Sequence, residues 1–276
     1  MKIHANYEYK IMISDYYTQD IAQIDAEIDK QKTHHNVLSP CSVSQKGRCL
    51  YLHYLVSERG SSLRTFINEV NRPKHGIRAS FVRPVHISAV DILLQVIDAL
   101  LFMSKNRMLD GNTNINPDFI WVDYDIDGKI VVSVIDTMET VIEDRYRVAN
   151  ENKQYWSAEC LKEHIIFCDE QTQPILRKTT LSRMDTVPSS FSLVYSLGLV
   201  LYFISQNRDP YEDGVRVYPD ERPNLIGNLN NRKIGGLVWV ATEPDTRNRP
   251  SLVEFRKLVM DASFLQRHTT SYCSIC

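Results

Sequence analysis

The segment from Leu193 to Ile204 constrains the fold more than any other, because it is apolar nearly all the way round a helix. A helix with one apolar stripe lies on a surface; one apolar on all sides must be enclosed. This segment would extend only ~18 Å, too short for the ~30 Å hydrocarbon core of a bilayer. Tyr195 and Ser196 also interrupt it. It therefore reads as a buried core helix. A chain of 276 residues with 43% hydrophobic content can supply the enclosing elements, as one large domain or two lobes.

Residues 7–13 alternate and carry β-favouring side chains, which predicts a strand. Ile21, Ile24 and Ile28 predict an amphipathic helix within residues 17–31. Residues 48–56 read as a buried strand, Gly60-Ser61-Ser62 as a break, and Leu63 to Val70 as a helix. Ile87 to Met103 is a long apolar helix with Asp91 and Gln95 on its other side. Residues 119–123 and 129–135 are strands joined by a turn at Asp127-Gly128. Leu252 to Asp261 predicts a closing helix. There is no internal repeat and no low-complexity segment. A small strand-rich part followed by a larger helical part implies a two-lobed α+β domain.

Charge narrows the function classes. With 24% charged residues and a net charge of −2, neither a basic nucleic-acid footprint nor an acidic tail is present. Residues 1–20 have no apolar core of a signal peptide, and no transmembrane segment is expected. Cys41, Cys49, Cys160, Cys168, Cys273 and Cys276 are scattered, which favours reduced thiols and a cytoplasmic setting. Cys273 and Cys276 form a lone C-x-x-C without matching zinc ligands or a strand–helix redox context, and make a poor lipidation box; a disordered tail is expected there.

Short motifs add a family resemblance. His34-His35-Asn36-Val37 resembles the H-x-N-[IV] turn after the small-lobe helix of protein kinases, and Gly60 to Phe66 resembles the G-S-L stretch beyond their hinge. Ile115-Asn116-Pro117-Asp118-Phe119-Ile120 resembles the catalytic-loop L-K-P-E-N-I, and Val134-Ile135-Asp136-Thr137-Met138 sits where D-F-G belongs. Trp156 to Leu161 resembles W-x-A-P-E-x-L of tyrosine kinases without its proline. Ser196-Leu197-Gly198, Asp209-Pro210-Tyr211 and Arg249-Pro250 follow in family order. The chain thus resembles a protein kinase-like pseudokinase with tyrosine-kinase-like motifs, which implies an α+β, two-lobed fold with a reduced N-terminal lobe. Residues 1–58 would form the truncated small lobe, 59–264 the helical lobe and 265–276 the tail.

The resemblance implies how catalysis would fail. Phosphoryl transfer needs a glycine-rich cradle, a strand lysine held by a helix glutamate, a catalytic aspartate, and an asparagine and an aspartate on magnesium. The first glycine is Gly47, so no cradle is expected. Lys10 is the candidate strand lysine with Glu27 as partner; the alternative is an exposed lysine and a solvated acid. The catalytic aspartate position falls on Asn114, or on Asn112 if Asp110-Gly111-Asn112 stands for H-R-D as in the H-G-N of Janus-kinase pseudokinase domains. Neither amide accepts a proton at neutral pH. Phe119 replaces the second metal ligand, while Asp136 survives as a lone carboxylate or as a strand-end cap. Glu159 and Arg249 match the family's structural ion pair.

Residues 165–188, with Cys168, Pro174, Arg177, Lys178, Arg183 and Pro188, are longer than the family pattern and form either a tolerated loop or a docking surface. Tyr146 and Tyr155 are either packed or phosphorylated. The expected function is a catalytically inactive, protein-binding or regulatory module with no cofactor, no metal and no nucleic-acid partner, an active kinase being one candidate partner. The alternative is an unorthodox ATP-binding kinase using Lys10 and Asp136. A third reading is a fragment of a longer gene that carries the glycine-rich loop.

Overall fold

A computed structural model describes residues 6–14, 21–47, 49–70, 88–109, 115–125, 127–138, 141, 153–161, 190–211, 222 and 232–272. The strands are β1 (Asn6–Ser14), β2 (Val37–Leu38), β3 (Ser42–Lys46), β4 (Cys49–Ser57), β5 (Ser61–Ser62), β6 (Ile120–Tyr124) and β7 (Ile130–Ile135). The helices are α1 (Ile21–Ile28), α2 (Leu63–Val70), α3 (Ala89–Lys105), α4 (Ser190–Gln206), α5 (Arg232–Ala241) and α6 (Leu252–Tyr272).

In the small lobe, β1, β4 and β3 form an antiparallel sheet in that order. Alternation sorts β1 into two faces. Tyr9 and Ile11 pack on a core of Ile24, Leu50, Leu52, Tyr54 and Val56, whereas Glu8, Lys10 and Met12 are exposed. Trp121 and Ile135 enter the same core from the second sheet, whose order is β2-β7-β6-β5. The Trp121 ring lies 4.8 Å from that of Tyr9. It passes so close to the hinge that a Cβ on Gly60 would stand 2.4 Å from its Nε1, so only glycine fits there.

The helical lobe is built around α4. Every residue from Ser192 to Phe203 is buried, as the all-round apolar pattern requires. Helices α3, α5 and α6 surround it, and α3 also backs β7. A Cβ on Gly198 would lie 2.6 Å from Ala241 Cβ and 3.1 Å from Thr242 Cγ2, so α4 and α5 touch through a glycine. Gly198→Ala is expected to destabilise the domain by about 1–3 kcal/mol through overpacking, measured as a lower urea midpoint. An unchanged midpoint would mean that α5 can move aside freely.

Several elements depart from the sequence expectation, three of them helices. Helix α1 ends at Ile28, before the expected end at residue 31. Helix α5 was hidden by Gly235-Gly236, which reads as a break because each glycine costs a helix about 1 kcal/mol. Burial of Leu237, Val238 and Ala241 overrides that penalty. Helix α6 runs on to Tyr272, so residues 265–272 of the expected tail are helical; Cys273 and Cys276 lie outside the described residues.

Candidate functional site

The H-x-N turn positions the end of β7. Asn36 is buried; its Nδ2 donates to Val132 O at 2.7 Å and to Gln95 Oε1 at 3.2 Å, and its carbonyl accepts from Val134 N. The next two residues, Val37 and Leu38, pair in parallel with Val134 and Ile135. The His34 ring stacks on Phe102 of α3 at 4.6 Å. One turn thus ties α3 and the second sheet to the segment that follows α1.

Asp136 follows directly and is only 2% exposed. Its N–H donates to Leu38 O, and its carbonyl accepts from Tyr54 Oη at 2.7 Å. Its carboxylate is engaged on both oxygens: Oδ1 accepts from the Met138 N–H at 2.8 Å, and Oδ2 from Gln31 Nε2 at 2.8 Å. Burial pushes the carboxyl up to about 6, against the opposing effect of those two bonds. Met138 holds a left-handed backbone with φ 54° although it is not glycine. Such a conformation strains an L-residue by roughly 1 kcal/mol or more, and burial of its side chain in the small-lobe core holds it there. Met138 was read only as the end of the D-F-G counterpart and Gln31 was not recognised in the sequence; nothing in the spacing of Gln31 marks it as a partner of a residue so far along the chain.

Beside this carboxylate opens a cavity of about 230 Å3, lined among others by Glu27, Lys30, Lys32, Arg107 and Val141. Lys10 does not reach it. Lys10 is paired across the sheet with His53, and Tyr54, which binds Asp136, points to the other face. Its side chain is 53% exposed and lies 3.7 Å from Glu8. Glu27 instead accepts from Lys30 at 2.8 Å. Of the two readings of Lys10 and Glu27, the geometry is that of an exposed lysine and a solvated acid; Lys10 and Asp136 are not brought together.

Phe119 is half-buried against the small-lobe core, with its carbonyl accepting from Ile135 N. Its ring supplies no oxygen for a metal. Asn112, Asn114, Tyr146 and residues 165–188 with Cys168 lie outside the described residues. Among the described residues, no group of three or more His, Cys, Asp or Glu side chains is placed to hold a metal ion, and no helix is long and apolar enough to cross a membrane.

Two ion-pair networks tie separate stretches of the helical lobe together. Arg64 Nε donates to both carboxylate oxygens of Asp118 at 2.9 and 3.0 Å, and its Nη1 to Asp209 Oδ1 at 2.9 Å. Tyr155 Oη donates to the same Asp209 oxygen at 2.8 Å. The hinge stretch, the catalytic-loop stretch and the D-P-Y stretch, separate landmarks in the sequence, thus form one network. Tyr155 is fully buried within it, as the packed alternative anticipated. In the second network Arg249 Nη1 donates to Glu159 Oε1 at 2.7 Å and Nη2 to Oε2 at 3.3 Å. Burial raises the Glu159 carboxyl, but the bonds and charge of Arg249 outweigh it and hold the group below its ordinary value.

On the outer face of the small sheet, His53 contacts Glu8 Oε1 through Nδ1 and Ser44 Oγ, at 2.6 Å, through Nε2. The connectivity is that of a hydrolytic triad. All three side chains come from neighbouring strands of one sheet face, so ordinary cross-strand pairing of a buried histidine accounts for it.

Neither a protein-family model nor a curated protein matches the sequence. Solved structures do match. The kinase domain of Mycobacterium tuberculosis PknI superposes with a TM-score of 0.55 over 85% of this chain and 75% of that domain, at 15% identity. A double mutant of the same domain gives 0.54 over 88% and 77%, also at 15% identity. The fold is protein kinase-like. At that identity the likeness concerns the fold alone.

Proposed function

We propose that this chain is a catalytically inactive protein kinase-like domain that acts by binding other proteins, with an active kinase as one candidate partner. The observation that carries the reading is the state of Asp136. Both carboxylate oxygens are taken by protein N–H donors, and the group is buried and raised toward neutrality. A magnesium ion would have to displace Gln31 and recruit further oxygens where Phe119 offers none. Asn112 and Asn114 in the two possible registers of the catalytic loop support the same conclusion from the sequence. Scattered cysteines, with no disulfide at Cys41, Cys49 or Cys160 among the described residues, agree with a cytoplasmic setting.

The competing reading, a kinase using Lys10 and Asp136, meets a geometric obstacle. Turning Lys10 toward Asp136 requires β1 to slip by one residue, which would expel Tyr9 and Ile11 from the small-lobe core. The expected result is no phosphoryl transfer above background when the purified protein is incubated with labelled ATP, magnesium or manganese, and generic substrates. Magnesium-ATP is expected to leave the melting temperature unchanged. Transfer by the wild type that Asp136→Asn abolishes would show Asp136 to be a working metal ligand and would overturn the proposal.

A further inference from the structure

Two elements bring cations to the cavity beside Asp136. Lys30 and Lys32 come from the segment after α1, and Arg107 from the turn that ends α3. Lys30 donates to Glu27, which also lines the cavity, so that charge is matched. Lys32 has only a neutral partner among the described residues, Asn106 Oδ1 at 2.9 Å. The Arg107 guanidinium has no hydrogen-bond or ion-pair partner among them.

Arg107 stands where a helix end favours glycine. Its N–H donates to Ser104 O and the Met108 N–H donates to Met103 O, which closes α3 in a Schellman turn. The turn needs a left-handed residue at that position, and Arg107 has φ 56°. An L-residue is strained there and glycine is not. The helix dipole does not call for Arg107, because Lys105 already places a cation in the last turn. A strained residue held in place by its surroundings points to a role for its side chain, and this one lines the cavity.

The wall also supplies an acceptor. Gln31 gives its Nε2 to Asp136 at 2.8 Å, and its Oε1 is buried with no partner. A buried acceptor left empty is costly, so an occupant that brings an O–H is favoured. The occupant is also small: about 230 Å3 lies below the ~300–1,000 Å3 of ordinary small-molecule sites. Phosphate meets all three conditions, being small, anionic and, at neutral pH, still the bearer of an O–H. Sulfate has the same shape and no proton to donate.

We infer that this cavity is a site for a small phosphate, whose charged oxygens are taken by Arg107 and Lys32 and whose P–OH donates to Gln31 Oε1. The charge-assisted bonds supply the affinity, and the amide oxygen supplies the selection. The inference does not rest on whether the domain transfers phosphate. A whole nucleotide is larger than the cavity, so phosphate binding and indifference to magnesium-ATP are compatible.

Isothermal titration calorimetry of the 276-residue chain at pH 7 and fixed ionic strength tests it. Inorganic phosphate is expected to bind with a Kd on the order of 0.1–1 mM, well inside the ligand-efficiency ceiling for so small a molecule. Sulfate should bind at least about tenfold more weakly, since it leaves Gln31 Oε1 unpaired. Arg107→Gly suits the left-handed turn and should keep its melting temperature near that of the wild type, while phosphate binds at least about tenfold more weakly. Lys32→Gln should also weaken phosphate and decides the matter if Arg107→Gly does not fold. Methyl phosphate identifies the source. The ester has mostly lost its proton at pH 7, so weaker binding assigns the site to free phosphate; binding as tight as inorganic phosphate assigns it to small phosphate esters. Either result supports a phosphate site, provided the Arg107 or Lys32 substitution weakens both ligands. A phosphate Kd above about 10 mM, sulfate bound as tightly as phosphate, or wild-type affinity in a folded variant would each overturn the inference.

Discussion

Replacing Glu159 with alanine is expected to lower stability by about 3–5 kcal/mol, the range for stripping one partner from a buried ion pair. The magnitude follows from what remains. The Arg249 side chain is 0% exposed, against 28% for Glu159. After the substitution its cation would face only neutral acceptors: Glu243 O at 2.7 Å, Phe191 O at 2.7 Å and the more distant Pro244 O. The face of Tyr195, 4.9 Å away, offers modest further attraction. Ser192, which donates to Glu159 Oε1 at 2.9 Å, would lose its acceptor as well. Glu159→Gln keeps an acceptor and the volume and should be milder, about 1–3 kcal/mol. Chemical denaturation at pH 7 measures both. A loss below about 1 kcal/mol for Glu159→Ala would show that water reaches the guanidinium and that the pair is only a surface contact. The sign with pH is fixed by the lowered Glu159 carboxyl. The pair's contribution is complete above the ordinary carboxylate value and is lost as pH falls through the lower folded value.

How much of this architecture could be read from the sequence depended on the range of the signal. Helix α4 was legible because its apolar residues occupy every side, and the structure buries each one from Ser192 to Phe203. β1 was legible because alternation is a local property, and β4 was read as a buried strand. β3, Ser42–Lys46, was not: its residues are mostly polar, and only its pairing with β4 makes it a strand. The cleft was half legible. Motif order located Asp136, but no local pattern reveals that Gln31 occupies its second oxygen or that Met138 is pinned in a left-handed turn. Lys10 was left open between two readings for a related reason. Composition locates a lysine in a strand, but which face it takes depends on register, and one residue of register inverts the answer.

Asp136→Asn is expected to stabilise the protein at neutral pH by about 2 kcal/mol, an unusual direction for a substitution at a buried polar site. Burial raises the folded-state carboxyl from 3.8 to about 6. The folded state therefore binds a proton more readily than the unfolded chain between those values. By linkage, the contribution of Asp136 is most favourable near pH 4, declines as pH rises through about 6, and is flat beyond. The decline approaches ~3 kcal/mol for a shift of this size, less whatever the surroundings relax. Asparagine removes the buried charge and keeps the bonds. Its Oδ1 still accepts from Met138 N, and its Nδ2 can donate to Gln31 once that amide rotates. That rotation exchanges one unpartnered buried atom, Gln31 Oε1, for another, its Nε2, so it costs little. His34 and Glu159 act in the opposite sense. Burial is the first cause lowering His34, and the lowered Glu159 responds to acid as described, so both withdraw stability as pH falls. The pH profile of the wild type alone is thus a composite, and the difference between wild type and Asp136→Asn isolates the one group. Denaturation of both proteins at pH 4, 5, 6, 7 and 8 should give a difference near zero at the acid end that grows to about 2 kcal/mol in favour of Asp136→Asn by pH 7. A variant less stable than the wild type at pH 7 would mean that the carboxylate is compensated in the folded protein. Lys30 or Lys32 across the cavity, or a bound cation, are the groups that would supply that compensation. That outcome would reopen Asp136 as a ligand site and weaken the case for an inactive domain.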